Sequence, residues 1–161
     1  DYRTRNIIEL DKNKKNSYSD NDITRFLKNN FTFSDDQSSE VEINNRKFEC
    51  KISSNNFLWI DFMSFFKEPT SSKDYKEISI RYNWIFVSNF CECDDDSADI
   101  IRRFISFVDI LYTKKTKVKF FFNDIHIDSI YKGAKLDFLW VRCASRLSEM
   151  QMYEYLINDN N

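Results

Sequence analysis

Gly133 is the only glycine in this 161-residue chain, and Pro69 is the only proline. Glycine is the residue whose bare backbone wraps a phosphate or turns through positive φ without steric cost. One glycine cannot make the phosphate loop G-x-x-x-x-G-K-S/T or the dinucleotide fingerprint G-x-G-x-x-G. A G-x-S-x-G nucleophile elbow is excluded for the same reason. Tight turns must therefore be made by other residues, and the abundant Asn, which tolerates left-handed backbone, is the natural substitute.

The remaining composition is that of a chain able to bury a core. Hydrophobic residues make up 42%, including 16 Phe, 8 Tyr and 3 Trp, and each buried aromatic removes a large area from water. Lys and Arg total 24 against 26 Asp and Glu, a formal net charge of −2. That balance lacks the basic footprint of a nucleic-acid binder, so no nucleic-acid partner is expected. The longest apolar runs, 84–87 and 120–122, are strand-sized, so no transmembrane segment is expected. Four scattered cysteines, Cys50, Cys91, Cys93 and Cys143, are too few for a disulfide framework and suit free thiols in the cytoplasm. The chain opens on Asp1 rather than Met, without a signal peptide, and a further N-terminal portion is expected.

Read for periodicity, residues 1–18 are polar and suggest an extended linker. A helix-plus-hairpin subdomain is expected over 19–62 and an α/β region over 63–161. Ser19 and Asp20 can cap a helix carrying Ile23, Phe26, Leu27 and Phe31, which the polar stretch 34–39 ends. Val41-Glu42-Ile43, Asn44-Asn45 and the run 46–52 spell a β-hairpin with a two-residue turn, and 57–60 is a short strand. Ser71 or Ser72 then caps a helix bearing Tyr75, Ile78 and Tyr82, followed by a buried strand at 84–87. Beyond the acidic loop 94–96, with Asp96 or Ser97 as cap, Ile101, Phe104, Ile105, Val108 and Tyr112 share a helical face. Lysines over 114–117 close that helix, where its dipole favours cations. A strand at 118–122 and a last helix over about 144–156, with Leu147 and Met150 inward, complete the chain. Alternating helices and strands of this kind favour a parallel sheet with covered faces.

Individual chemistry-bearing residues are sparse. His126 is the only histidine, which removes multi-histidine metal sites; a single structural hydrogen bond is its plain role. Cys91-Glu92-Cys93 lacks the C-x₂₋₄-C spacing of a zinc knuckle and has no second pair. Asp94-Asp95-Asp96 reads as a solvated helix start rather than a cation site. Phe120-Phe121-Phe122-Asn123-Asp124 has the outline of a Walker B strand, but reads as a buried strand ending in a polar turn.

One stretch is more distinctive. From Asp95 the chain runs D-D-S-A-D-I-I-R-R-F-I-S-F-V-D-I-L-Y, then K-V-K-F-F-F. It continues S-I-Y-K-G-A-K-L-D-F-L-W-V-R-C-A-S-R-L-S-E-M-Q-M-Y-E-Y-L. This resembles the C-terminal part of the ZapE-type cell-division ATPases, the bacterial branch of the AFG-like family related to AAA+ proteins. The resemblance rests on Arg102-Arg103-Phe104, Val108-Asp109, Tyr112, Val118-Lys119, Tyr131 with Gly133, and Phe138 with Arg142. Its most specific part is Ser145-Arg146-Leu147, Glu149-Met150-Gln151 and Glu154-Tyr155-Leu156. Asp1-Tyr2-Arg3, Asn44 with Arg46, Trp59 to Phe62 and Asp74-Tyr75 fall in the family's order upstream. The chain departs from the family at 68–73 and at 121–124.

The resemblance implies an α/β fold, the C-terminal part of a P-loop (AAA+-like) ATPase, with a small hairpin-containing insertion followed by alternating helices and strands. It implies ATP and magnesium as cofactors of the intact protein, whose Walker A, Walker B and sensor residues precede this chain. The missing N-terminal ATPase core and cell-division proteins are the implied partners, in the cytoplasm or at the division site. Arg146 and Arg142, with Arg102 and Arg103 behind them, are the candidates for touching nucleotide phosphate. The competing role for Arg146 is a clamp on Glu149 or another helix carboxylate at i, i+3. The rival to a catalytic protein is a non-catalytic interaction module.

Overall fold

The computed structural model describes residues 2–12, 17–33 and 37–156. Helices α1 (Tyr2–Lys12) and α2 (Asp20–Asn30) precede strands β1 (Ser38–Ile43), β2 (Arg46–Ser53) and β3 (Phe57–Asp61). After α3 (Phe62–Phe66) and α4 (Ser72–Arg81) come β4 (Trp84–Ser88), α5 (Ala98–Lys114) and β5 (Lys117–Phe120). Helices α6 (Ile127–Ile130), α7 (Asp137–Met150) and α8 (Tyr153–Leu156) follow.

The strands form one sheet in the order β1-β2-β3-β4-β5. The first three are antiparallel neighbours and the last three are parallel, each parallel connection passing through helices. The hairpin is as expected: Ile43 pairs with Arg46, and Asn44 and Asn45 take φ of 51° and 67°. Two successive positive φ values match a turn to the right-handed twist of its strands.

The parallel strands have two faces of different chemistry, because side chains alternate along a strand. Phe57, Trp59, Trp84 and Phe86 belong to a cluster with Ile7 of α1 and Ile23 and Leu27 of α2. Leu58, Ile60, Ile85 and Val87 belong to the larger cluster with α3, α4, α5 and α7. The register, Phe57↔Trp84 through Ile60↔Val87, keeps like beside like across the strands. The larger core is built on edge-to-face rings, with Phe104 against Phe62 at 5.1 Å and against Phe66 at 5.4 Å. Such pairs add about 0.5–1.5 kcal/mol each beyond their burial.

Three expectations change. Residues 2–12 form a helix rather than an extended linker; residues 13–16 lie outside the described chain. Ile7 is fully buried, Arg3 Nε donates to Asn30 O at 2.8 Å and the Tyr2 hydroxyl donates to the same oxygen at 3.1 Å. The final turn of α2 leaves carbonyls without helical partners, and α1 is held in place by supplying donors to one of them. The single sheet also crosses the expected boundary at 62/63. Finally, the last long helix starts at Asp137, not near 144, and breaks at Gln151 before α8. Trp140 and Cys143 are buried on the same face as Leu147 and Met150, which extends the apolar stripe backwards by two turns.

The caps are local and hold. Ser19 Oγ accepts from Asp22 N at 3.2 Å while Ser19 N donates to Asp22 Oδ2 at 3.0 Å. At α4 the cap is Ser71, whose N–H donates to Asp74 Oδ2 at 2.9 Å. Asp74 also accepts from Asn44 Nδ2 at 3.1 Å and faces Arg46 at 3.8 Å. The N-x-R of the hairpin and the D-Y of α4 are thus one contact.

Candidate functional site

The S-R-L-x-E-M-Q-x-x-E-Y-L run lies where α7 and α8 cross the end of α5 and the β5 edge. Leu147 and Met150 are fully buried. Arg146 bonds Asp109 of α5, and its guanidinium lies 4.8 Å from the centre of the Tyr112 ring. Asp109 and Tyr112 are three residues apart on α5 and so share a face. The clamp expected within α7 is therefore made between helices, and the Glu149 carboxylate near the Tyr112 hydroxyl holds that phenol above its ordinary pKa.

Gln151 closes the sheet. β5 is an edge strand, which leaves a row of unpaired backbone groups. Gln151 Nε2 donates to Val118 O at 3.2 Å, and Phe120 N donates to Gln151 Oε1 at 3.4 Å. One side-chain amide thus stands in for a strand's peptide. Tyr155 completes the seal: its hydroxyl donates to Thr116 O at 2.8 Å and Leu111 O at 3.2 Å, and burial pushes its pKa up. The Tyr155 and Tyr112 rings stack with centroids 6.3 Å apart. Tyr112, Arg146, Glu149 and Tyr155, with Lys115 and Met152, line an open cleft of about 600 Å³.

The four candidate arginines do not converge. Arg103 donates to Phe66 O at 3.0 Å and Lys67 O at 3.4 Å, holding the end of α3 against α5. Arg102 is exposed and pairs with Asp99 one turn earlier at 3.5 Å. Arg146 is engaged with Asp109 and Tyr112. Arg142, one turn before Arg146, is exposed; its neighbours Phe138 and Val141 are 85% and 64% exposed.

Asp95 was legible only as part of an acidic loop, yet it is the centre of a second constellation. It accepts from the Tyr131 hydroxyl, from Ala134 N at 3.0 Å and from Lys135 N at 3.2 Å. The same Tyr131 oxygen accepts from Leu136 N at 2.9 Å. The Tyr131 bond and the two amides hold the Asp95 carboxyl below its ordinary pKa, while burial and the Asp95 charge hold Tyr131 above its own. Gly133 sits against this group: a Cβ there would come within 3.0 Å of Asp95 Oδ1 and of the Tyr131 ring and hydroxyl. The only sequence signal was the Y-x-G spacing. Within the acidic loop itself, Asp94 supplies the cap, accepting from Asp96 N at 2.9 Å ahead of a 3₁₀ turn at Asp95–Ser97. His126 is exposed and its Nδ1 accepts from Asp128 N at 3.2 Å, capping α6.

A mixed five-stranded α/β sheet with helices on both faces is consistent with a fragment of an AAA+-like ATPase. The family model of the AFG1-like ATPases matches residues 1–159, and the chain belongs to that family. Among curated relatives, the cell division protein ZapE of Escherichia coli K12 is 30% identical over 121 residues, covering 75% of this chain and 32% of the relative. An uncharacterized protein of Schizosaccharomyces pombe is 28% identical over 145 residues, covering 73% of this chain and 32% of its own length. The chain thus spans about a third of the length of these relatives. No solved structure matches it. None of the described helices is long and apolar enough to cross a membrane.

Proposed function

We propose that these residues are the C-terminal portion of a cell-division-associated P-loop ATPase, which binds and hydrolyses magnesium-bound ATP as the intact protein. The carrying observation is the AFG1-like match along residues 1–159, with a protein named for cell division among the relatives. The residues at hand do not themselves fit the nucleotide. The 161 residues contain no phosphate loop, Gly133 is occupied against Asp95, and the described residues hold no group of three metal-ligating side chains. Phosphate-binding backbone must come from elsewhere in the protein.

What this region can add is a guanidinium. Arg146 and Arg103 are committed to internal partners, and Arg102 to a solvent-exposed pair worth little. Arg142 is exposed and its side chain makes no hydrogen bond or ion pair with a described residue, so it is the arginine best placed to meet phosphate charge. In the intact protein, Arg142→Ala should lower ATP turnover and leave the melting temperature unchanged. Full turnover by that variant removes Arg142 from the site.

A second reading, a non-catalytic interaction module in the cytoplasm or at the division site, is favoured by the apolar surface of α7. Phe138, Leu139 and Val141 are 85%, 41% and 64% exposed, on either side of the buried Trp140, and exposed apolar patches mark contact sites. ATP hydrolysis by the intact protein that survives Phe138→Ser would separate the two readings, since the module reading predicts no hydrolysis at all.

A further inference from the structure

Cys91 and Cys93 lie in the segment between β4 and the 3₁₀ turn that precedes α5. Both are free thiols, and their Sγ atoms are 4.0 Å apart. The backbone at Cys93 is fixed: its N–H donates to Ile130 O at 2.7 Å and its carbonyl accepts from Lys132 N at 2.8 Å, a one-residue parallel bridge with Tyr131. Residues two apart on extended backbone point their side chains to one side. Cys93 is buried at 6% exposure whereas Cys91 is half-buried. A disulfide requires the sulfurs to close to about 2.05 Å, so at least one of the two side chains must reorient on closure, and Cys91 is the more exposed. Cys50 on β2 and Cys143 on α7 belong to other elements.

We infer that Cys91 and Cys93 form a redox-active dithiol that accepts a small-molecule disulfide, of which glutathione disulfide is the simplest, and closes to an intramolecular disulfide. Cys91 gives up its proton to solvent and its sulfur attacks one sulfur of the small disulfide. That S–S bond breaks, a mixed disulfide forms on Cys91, and one glutathione thiolate leaves and takes up a proton. Cys93 then gives up its proton to solvent and attacks Cys91 Sγ, the mixed S–S bond breaks, and the second glutathione leaves as thiol. Two protein thiols are oxidised and one small disulfide is reduced to two thiols. Thiol–disulfide exchange favours oxidation where nothing stabilises the reduced thiolates. Burial, with Cys91 and Asp94 nearby, pushes the Cys93 thiol up to about 12, which favours the closed disulfide at equilibrium but slows the attack that closes it, so closure is the slow step.

The test uses the full chain. Arg81 and Arg102 flank both cysteines with no Lys or Arg between them, so tryptic cleavage places the pair in one peptide, 82–102. After incubation with glutathione disulfide and alkylation of free thiols, that peptide should be recovered unalkylated and lighter by two hydrogens, and dithiothreitol should reverse the change. Cys93→Ser should instead stop at a persistent glutathione adduct on Cys91, and Cys91→Ser should leave Cys93 without one. Recovery of the wild-type peptide doubly alkylated, or as a persistent adduct, overturns the dithiol. An adduct on Cys93 in the Cys91→Ser variant overturns the order of attack.

Discussion

Replacing Gly133 by alanine tests the Asp95–Tyr131 constellation most directly. Gly133 does not have positive φ, so its backbone admits alanine. Alanine at a compatible position stabilises by about 0.4–1 kcal/mol, because the unfolded chain has fewer states to lose. Against this, the new methyl carbon would lie within 3.0 Å of Asp95 Oδ1, Tyr131 Oη and Tyr131 Cε1. Two of these atoms form the hydrogen bond that joins the segment before α5 to the loop before α7, and both residues are held by further bonds, Asp95 from Ala134 N and Lys135 N, and Tyr131 Oη from Leu136 N. Overpacking of this kind costs typically about 1–3 kcal/mol. The clash outweighs the gain over nearly all of these ranges, leaving a net loss of roughly 0–2.6 kcal/mol, centred near about 1.3 kcal/mol, once the entropy gain is subtracted. For a domain of this size each kcal/mol lowers the melting temperature by about 2–4 °C. Thermal and urea unfolding of the chain should show a drop of a few degrees without a change in m. The same substitution in a Tyr131→Phe background should cost less, since the crowded hydroxyl is gone. A Gly133→Ala chain as stable as wild type, or more so, would refute the claim that this glycine exists for space.

Arg146→Ala should lower the stability of the chain by about 1–2 kcal/mol, the sum of a solvent-screened ion pair with the part-exposed Asp109 and a cation–π contact, while Arg142→Ala leaves it unchanged; a double-mutant cycle with Asp109→Ala in urea should return a coupling energy, and zero coupling would dismiss the clamp. Asp95 contributes a pH dependence whose sign follows from its depressed pKa. Its contribution is complete above the unfolded value of about 3.9 and is lost as pH falls through the lower folded value. The difference in melting temperature between wild type and Asp95→Asn should therefore be constant near neutrality and shrink below about pH 4; a constant difference down to acid would contradict it.

What the sequence determined by itself is what local rules decide. The hairpin was legible because adjacent asparagines between alternating strands admit one turn, and Asn44 and Asn45 take it. The cap of α2 was legible from Ser19, and the buried strand at 84–87 from its unbroken apolar run. Family membership was legible because Arg102 to Leu156 carries a long, specific order of residues. Tertiary structure decided the rest, because the deciding partners are distant in the chain. The helix α1 is too polar to announce itself and is fixed by Asn30, 27 residues beyond Arg3. Arg146 could be placed on an inward-turning helix, but its choice of Asp109 over Glu149 depends on how α7 crosses α5, 37 residues earlier. Gln151 gives no sign in one dimension that it completes a sheet edge. Gly133 shows the division most clearly. Its solitude marks it in the sequence, yet the positive-φ turns of the described chain fall to Asn44, Asn45, Asn89, Lys115 and Asn123. The glycine is kept for the space that Asp95 and Tyr131 need, and only three-dimensional packing creates that need.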